Sequence, residues 1–156
     1  MSPKRILPVA IASGVLLAAV ACDSRHPAAA DTRSSGSATG SYDDALRSRP
    51  SEAGLYRVSL RSEEGEIPLG RIHAWVVHLE TRDGETFVPR RLAFSGGMPQ
   101  HGHGFETEPR ATRELGGGDF LVEGVKFHMA GDWMLRVELV GPAGPDVAVF
   151  HVQVGP

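Results

Sequence analysis

The chain has 156 residues, a formal net charge of −3, 41% hydrophobic and 6% aromatic residues, and a single cysteine. That length leaves room for one ordinary domain beside a leader and a linker. The slight acidic excess excludes the basic footprint of a nucleic-acid-binding surface, and one cysteine excludes an internal disulfide or a thiolate cluster.

From the N-terminus, Lys4 and Arg5 precede an apolar run from Ile6 to Ala21 that ends at Cys22. A basic start, an apolar stretch and a small-residue boundary describe an export signal. Pro8, Ser13 and Gly14 break the run, which falls short of the ~20 apolar residues a bilayer span needs. Leu17-Ala18-Ala19-Val20-Ala21-Cys22 resembles a bacterial lipobox, with Ala19 where that pattern usually carries Leu. The resemblance implies that residues 1–21 are removed. It also implies that a lipidated Cys22 anchors the mature chain to a membrane of the cell envelope, facing the periplasm or the outside. Lipidation would leave no free thiol in an oxidising compartment. An ordinary secretory signal with an incidental cysteine, or an uncleaved anchor, is the alternative.

Residues 22–53 are rich in Ala, Ser, Gly and Asp and nearly lack large apolar side chains. Such a stretch cannot bury enough surface to fold, so the composition predicts a flexible, disordered tether. Gly36 to Ser41 has no lysine and no strand–helix context, unlike a phosphate loop.

Residues 54–156 read as an all-β domain of about seven strands. Tyr56, Val58 and Leu60 alternate with Arg57, Ser59 and Arg61. Trp75, Val77 and Leu79 alternate with Val76 and His78. Trp133, Leu135, Val137 and Leu139 alternate with Met134, Arg136 and Glu138, and Phe150, Val152 and Val154 alternate with His151 and Gln153. Period two with one buried face is the strand signal. Shorter runs at Leu92–Phe94, Ala111–Leu115 and Phe120–Val125 supply the rest. Asp83-Gly84, Gly116-Gly117-Gly118 and Gly141-Pro142-Ala143-Gly144-Pro145 are turn signals. The pattern predicts an immunoglobulin-like antiparallel β-sandwich with Trp75, Trp133, Leu135, Val137 and Phe150 in its core. A small closed barrel satisfies the same pattern.

The chain lacks a nucleophile elbow, a zincin helix motif, a phosphate loop and a dinucleotide fingerprint, so no enzyme activity is expected. Its dense chemistry lies in two segments. Gly96-Gly97-Met98-Pro99-Gln100-His101-Gly102-His103-Gly104 reads as a glycine- and proline-rich loop, too irregular for a central strand. Phe127-His128-Met129-Ala130-Gly131 follows downstream. Thioether and imidazole together make a soft-to-borderline donor set that suits copper, especially Cu(I). Met98, His101, His103 and Met129 are the candidate ligands. His73, two residues before Trp75, and His128 are possible additional ones. His128 is the weaker of the 128–129 pair, because strand alternation turns only one of the two toward the loop. The alternatives are plain: Met98 and Met129 as core fillers, His101 and His103 as solvated loop residues, His73 as a buried, hydrogen-bonded histidine. His26, His78 and His151 read as tether or surface.

The run from Gly96 to Leu139 resembles the YtkA-like domain family, which overlaps with FixH-type periplasmic domains. The resemblance rests on Met98, Pro99, His101, His103 and Gly104, then Thr107 and Pro109, Gly118 and Phe120. Gly124, Lys126, Phe127, Met129, Gly131 and Trp133 complete it. Arg71-Ile72-His73-Ala74-Trp75 resembles part of one branch, and the likeness extends from Ile72 to Val154. It implies an immunoglobulin-like or cupredoxin-like sandwich, exported and often lipid-anchored, that binds copper or delivers it to respiratory enzymes. Met98, His101, His103 and Met129 carry over as ligands; His128 does not. Two functions follow. One is a copper-binding envelope lipoprotein, a chaperone or assembly accessory with a copper-receiving partner. The other is a metal-free sandwich that docks on another envelope protein.

Overall fold

The computed structural model describes residues 48–155. The expected export signal, Cys22, His26 and the expected tether up to residue 47 lie outside the described residues. The described chain folds into two antiparallel sheets. Strands β1 (Arg49–Pro50), β2 (Tyr56–Ser62), β3 (His73–Thr81), β6 (Arg110–Gly116) and β7 (Asp119–Val125) form one sheet in the order β1-β2-β3-β7-β6. Strands β4 (Arg91–Met98), β5 (His103–Gly104), β8 (Gly131–Gly141) and β9 (Gly144–Val154) form the other in the order β5-β4-β8-β9. Apart from the short β1 and β5, this is the strand order of an immunoglobulin-type sandwich, four strands facing three. β1 and the buried Ser51 lie N-terminal to Gly54, where the sequence pattern places the start of the domain.

The core is the inner faces of the two sheets. Trp75, Trp133, Leu135, Val137 and Phe150 are all 0–1% exposed. The long β8–β9 hairpin runs in unbroken register from Gly131↔Val154 to Gly141↔Gly144, which its period-two pattern dictates, since a one-residue slip would expose every core side chain. β3 departs from simple alternation. Val76 is buried on the opposite face from Trp75 and Val77, where it pairs with the equally buried Leu121 of β7. The Asp83-Gly84 turn closes on one isolated bridge, Glu80↔Thr86, and the chain then crosses to the other sheet instead of building a full hairpin.

The glycine-rich segment corrects the expectation of a loop. Gly96, Gly97 and Met98 are the last residues of β4; Gly96 and Gly97 pair with β8, and Gly97 and Met98 with β5. The glycines are there for close approach. A Cβ on Gly96 would lie 2.6 Å from the Phe105 ring and 2.9 Å from Leu135; one on Gly97 would lie 2.9 Å from the His103 carbonyl oxygen.

Candidate metal centre

At the end of β4 the chain reverses over Pro99–Gly102. The N–H groups of His101 and Gly102 donate to the Met98 carbonyl at 2.9 and 3.0 Å, and Gly102 takes φ +70°, a left-handed conformation that glycine adopts without strain. β5 then sets His103 opposite Met98. Directly opposed residues of an antiparallel pair project to the same face, so His103 and Met98 share one. Met98 is 2% exposed and belongs to the core. Its Cε packs so tightly on Gly131 that a Cβ there would lie 2.6 Å away. His101 and His103 are exposed. Two residues beyond His103, Phe105 stacks on Trp133 with centroids 5.2 Å apart and on Phe94 at 6.2 Å, and closes this end of the core.

The second segment crosses from β7 to β8. Phe127 is fully buried and bridges to Leu69. Residues 128–130 are not a strand, so the alternation expected to turn His128 away does not operate. His128 and Met129 are both partly buried. The His128 ring meets Trp133 edge-on, with centroids 5.3 Å apart and planes at 88°. Its other neighbour is the His103 ring at 5.0 Å, and His103 lies 5.7 Å from His101. Three imidazoles thus form a row with His103 in the middle. The Trp133 indole N–H donates to the Met129 carbonyl at 3.1 Å, which ties the segment to β8.

Nothing in the sequence pairs His128 with His103, since 25 residues and a change of sheet separate them. Glu106 was equally hidden. Its carboxylate accepts a hydrogen bond from Lys126 Nζ at 3.0 Å. That bond holds the Glu106 carboxyl below the usual carboxylate range, with His103 and His128 as smaller contributors. The carboxylate is thus part of an ion pair with Lys126.

His73 stands apart. It is 4% exposed. Its Nδ1 lies 3.2 Å from the Arg71 carbonyl and its Nε2 accepts the Trp75 indole N–H at 2.8 Å. Both nitrogens are engaged. Burial pushes its pKa down, against the raising effect of the Arg71 carbonyl.

Among the described residues, no three His, Cys, Asp or Glu side chains converge closely enough as they stand to hold a metal ion. The residues present still suit a soft-to-borderline cation by their chemistry. Two exposed imidazoles and the His128 imidazole line up at one end, and Met129, next to His128 in the chain, packs against the core. His128 Nδ1 is buried without a hydrogen-bond partner, a state that costs about 1–3 kcal/mol unless something satisfies it.

Neither the curated proteins nor the solved structures yield a significant match. The family model for YtkA-like domains matches residues 50–138. The match runs from β1 into β8, starting and ending earlier than the motif likeness suggests, and it contains Met98, His101, His103, His128 and Met129. It covers more than half of the chain, which therefore belongs to the YtkA-like family.

Proposed function

We propose that this protein is a lipid-anchored cell-envelope protein whose sandwich binds copper at the end carrying Met98, His101, His103 and Met129, as a chaperone or assembly accessory that passes the metal to another envelope protein. The observation that supports this best is the row of imidazoles from two distant segments, with Met98 set opposite His103 at the end of β4. His101 and His103 are exposed and free to turn toward a cation, Met129 is partly buried against the core, and Met98, paired with His103, is buried in it. Bound copper would supply a redox-active, transferable cation. The chain's part is to hold that cation with neutral donors and to keep it near the surface. Imidazole must be unprotonated to bind, so affinity falls on acidification, while the thioethers do not titrate. The basic–apolar–small start ending at Cys22 supports export and anchoring.

A Cu(I) competition titration tests the reading. One equivalent should bind, and His101→Ala/His103→Ala should weaken binding by at least an order of magnitude. Wild-type protein that fails to compete with a weak chelator would transfer the Met98–His103 hairpin to the docking-surface reading. For the anchor, Cys22→Ala should release the protein from the membrane fraction. A variant that stays equally membrane-bound and unprocessed would identify an uncleaved anchor.

A further inference from the structure

Two buried side-chain polar atoms among the described residues lack a hydrogen-bond partner, Thr107 Oγ1 and His128 Nδ1. Buried polar atoms are nearly always satisfied, so each exception calls for a partner. A threonine hydroxyl is a weak, freely rotating group. An imidazole nitrogen that donates to nothing and accepts from nothing is a lone pair or an N–H held ready. Two further observations say for what. The His128 ring is fixed in place by its edge-on contact with Trp133, which is itself tied to the Met129 carbonyl. The next ring outward is His103, which is exposed and leads on to the exposed His101. A packed inner imidazole with two exposed outer ones is a ligand set in which mainly the outer side chains must be ordered on binding, so the ordering cost is small.

We propose that His128 Nδ1 is a metal ligand, and that His101, His103 and His128 together form a three-imidazole site that takes Cu(II) as well as Cu(I). The proposal rests on the copper reading above and goes beyond it in ligand identity and oxidation state. Thioether donors favour Cu(I); a third imidazole beside two others moves the balance toward the borderline donors that Cu(II) prefers. Binding forms one bond between the Nδ1 lone pair and the cation, with the ring proton on Nε2, and involves no redox step.

The test uses the full chain with Cys22→Ser, so that the only thiol cannot take the metal, titrated with Cu(II) and followed by electron paramagnetic resonance and by the ring signals of ¹⁵N-labelled histidine. The expected spectrum shows superhyperfine coupling to three nitrogens. His128→Phe, which keeps a ring on Trp133, should reduce this to two and weaken Cu(II) binding on the order of tenfold, as losing a metal-site group does. The wild-type signals supply a readout that needs no variant. The His101, His103 and His128 rings should broaden together at low copper, with His73, His78 and His151 as internal references. If His128→Phe leaves the nitrogen count and affinity unchanged while His101→Ala/His103→Ala abolishes binding, the His128 assignment is wrong and the copper reading survives. A His128 ring that stays sharp while His101 and His103 broaden overturns the assignment in the same way. If the wild type binds neither Cu(I) nor Cu(II), both readings fall.

Discussion

The two ends of this sandwich treat their polar groups in opposite ways. At the Tyr56 end they answer one another. The Tyr56 hydroxyl donates to the Gly144 carbonyl at 2.8 Å and accepts the Ala143 N–H at 2.9 Å. Asp146 takes the N–H groups of Ala53, Leu55 and Val147 at 2.8–3.2 Å. Ser51 Oγ accepts the Tyr56 N–H and donates back to its carbonyl. At the His128 end, an imidazole nitrogen is buried with no partner and two more imidazoles stand exposed. Both ends close the same core, so packing does not account for the contrast. Polar groups that satisfy each other hold a fold together; polar groups left open are available to something outside the chain.

Trp133 joins the open end to the core, and its removal is the largest perturbation expected. It is 1% exposed, stacks on Phe105 and carries the His128 ring. Trp133→Ala should destabilise the domain by about 3–5 kcal/mol in denaturant unfolding, a large share of a typical domain's total. If the proposed copper site exists, its affinity should fall as well, because the ring against which His128 packs is gone. A loss below about 1 kcal/mol would mean that the open end does not depend on the core.

What the sequence disclosed follows from where side chains carry pattern. Trp75, Trp133, Leu135, Val137 and Phe150 were legible as core because strict alternation has only one buried solution. The Gly96-Gly97 part of β4 was not. Residues without side chains have no periodicity, and their role, admitting the Phe105 ring and the His103 carbonyl, is visible only from the neighbours. Burial of Val76 on the second face of β3 was hidden because it depends on Leu121, 45 positions away. At the site, His101 and His103 were legible as a local cluster. His128 was read through strand alternation, which does not hold for a crossing segment, and its partner His103 comes from another part of the chain.

At the closed end, Asp146 carries the largest polar contribution. Burial pushes its carboxyl pKa up, but the nearby Ser51 hydroxyl and the hydrogen bonds from the Ala53, Val147 and Leu55 N–H groups outweigh this and leave it lowered. A carboxyl whose folded pKa lies below its unfolded value of about 3.9 stabilises the fold above that value. The contribution disappears as pH falls through the folded pKa. Asp146→Ala should therefore lose about 1.5–3 kcal/mol near neutral pH, the range for hydrogen bonds to a charged group. The gap between variant and wild type should narrow in acid below about pH 4. Thermal melts across pH 2–7 check this; a gap that stays constant would show that the charge is not what the loop needs.

Tyr56→Phe is the milder cut at the same end. The ring keeps its place beside Phe87, 4.9 Å away, but the Ala143 N–H and the Gly144 carbonyl lose their partner. A loss of about 0.5–1.5 kcal/mol is expected, with copper binding untouched. A change in copper affinity would mean that the two ends are coupled through the strands between them.

The smallest effect, and the most telling, is expected from His128→Phe. At the closed end every deletion of a polar group should destabilise, because each leaves a partner unsatisfied. At His128 Nδ1 there is no partner to strand. Phenylalanine retains a ring against Trp133 and removes the buried nitrogen, which recovers part of the roughly 1–3 kcal/mol that burying an unsatisfied group costs. The phenyl ring is bulkier than imidazole, and the added volume offsets some of that gain. The net change should lie within about 1 kcal/mol of zero, on the stabilising side. Stability and metal affinity then move in opposite directions under one substitution, as expected where a fold keeps an unsatisfied group for binding. Unfolding curves for the metal-free variant decide it. A destabilisation beyond about 2 kcal/mol would mean that Nδ1 has a structural partner in solution, and the contrast between the two ends would vanish.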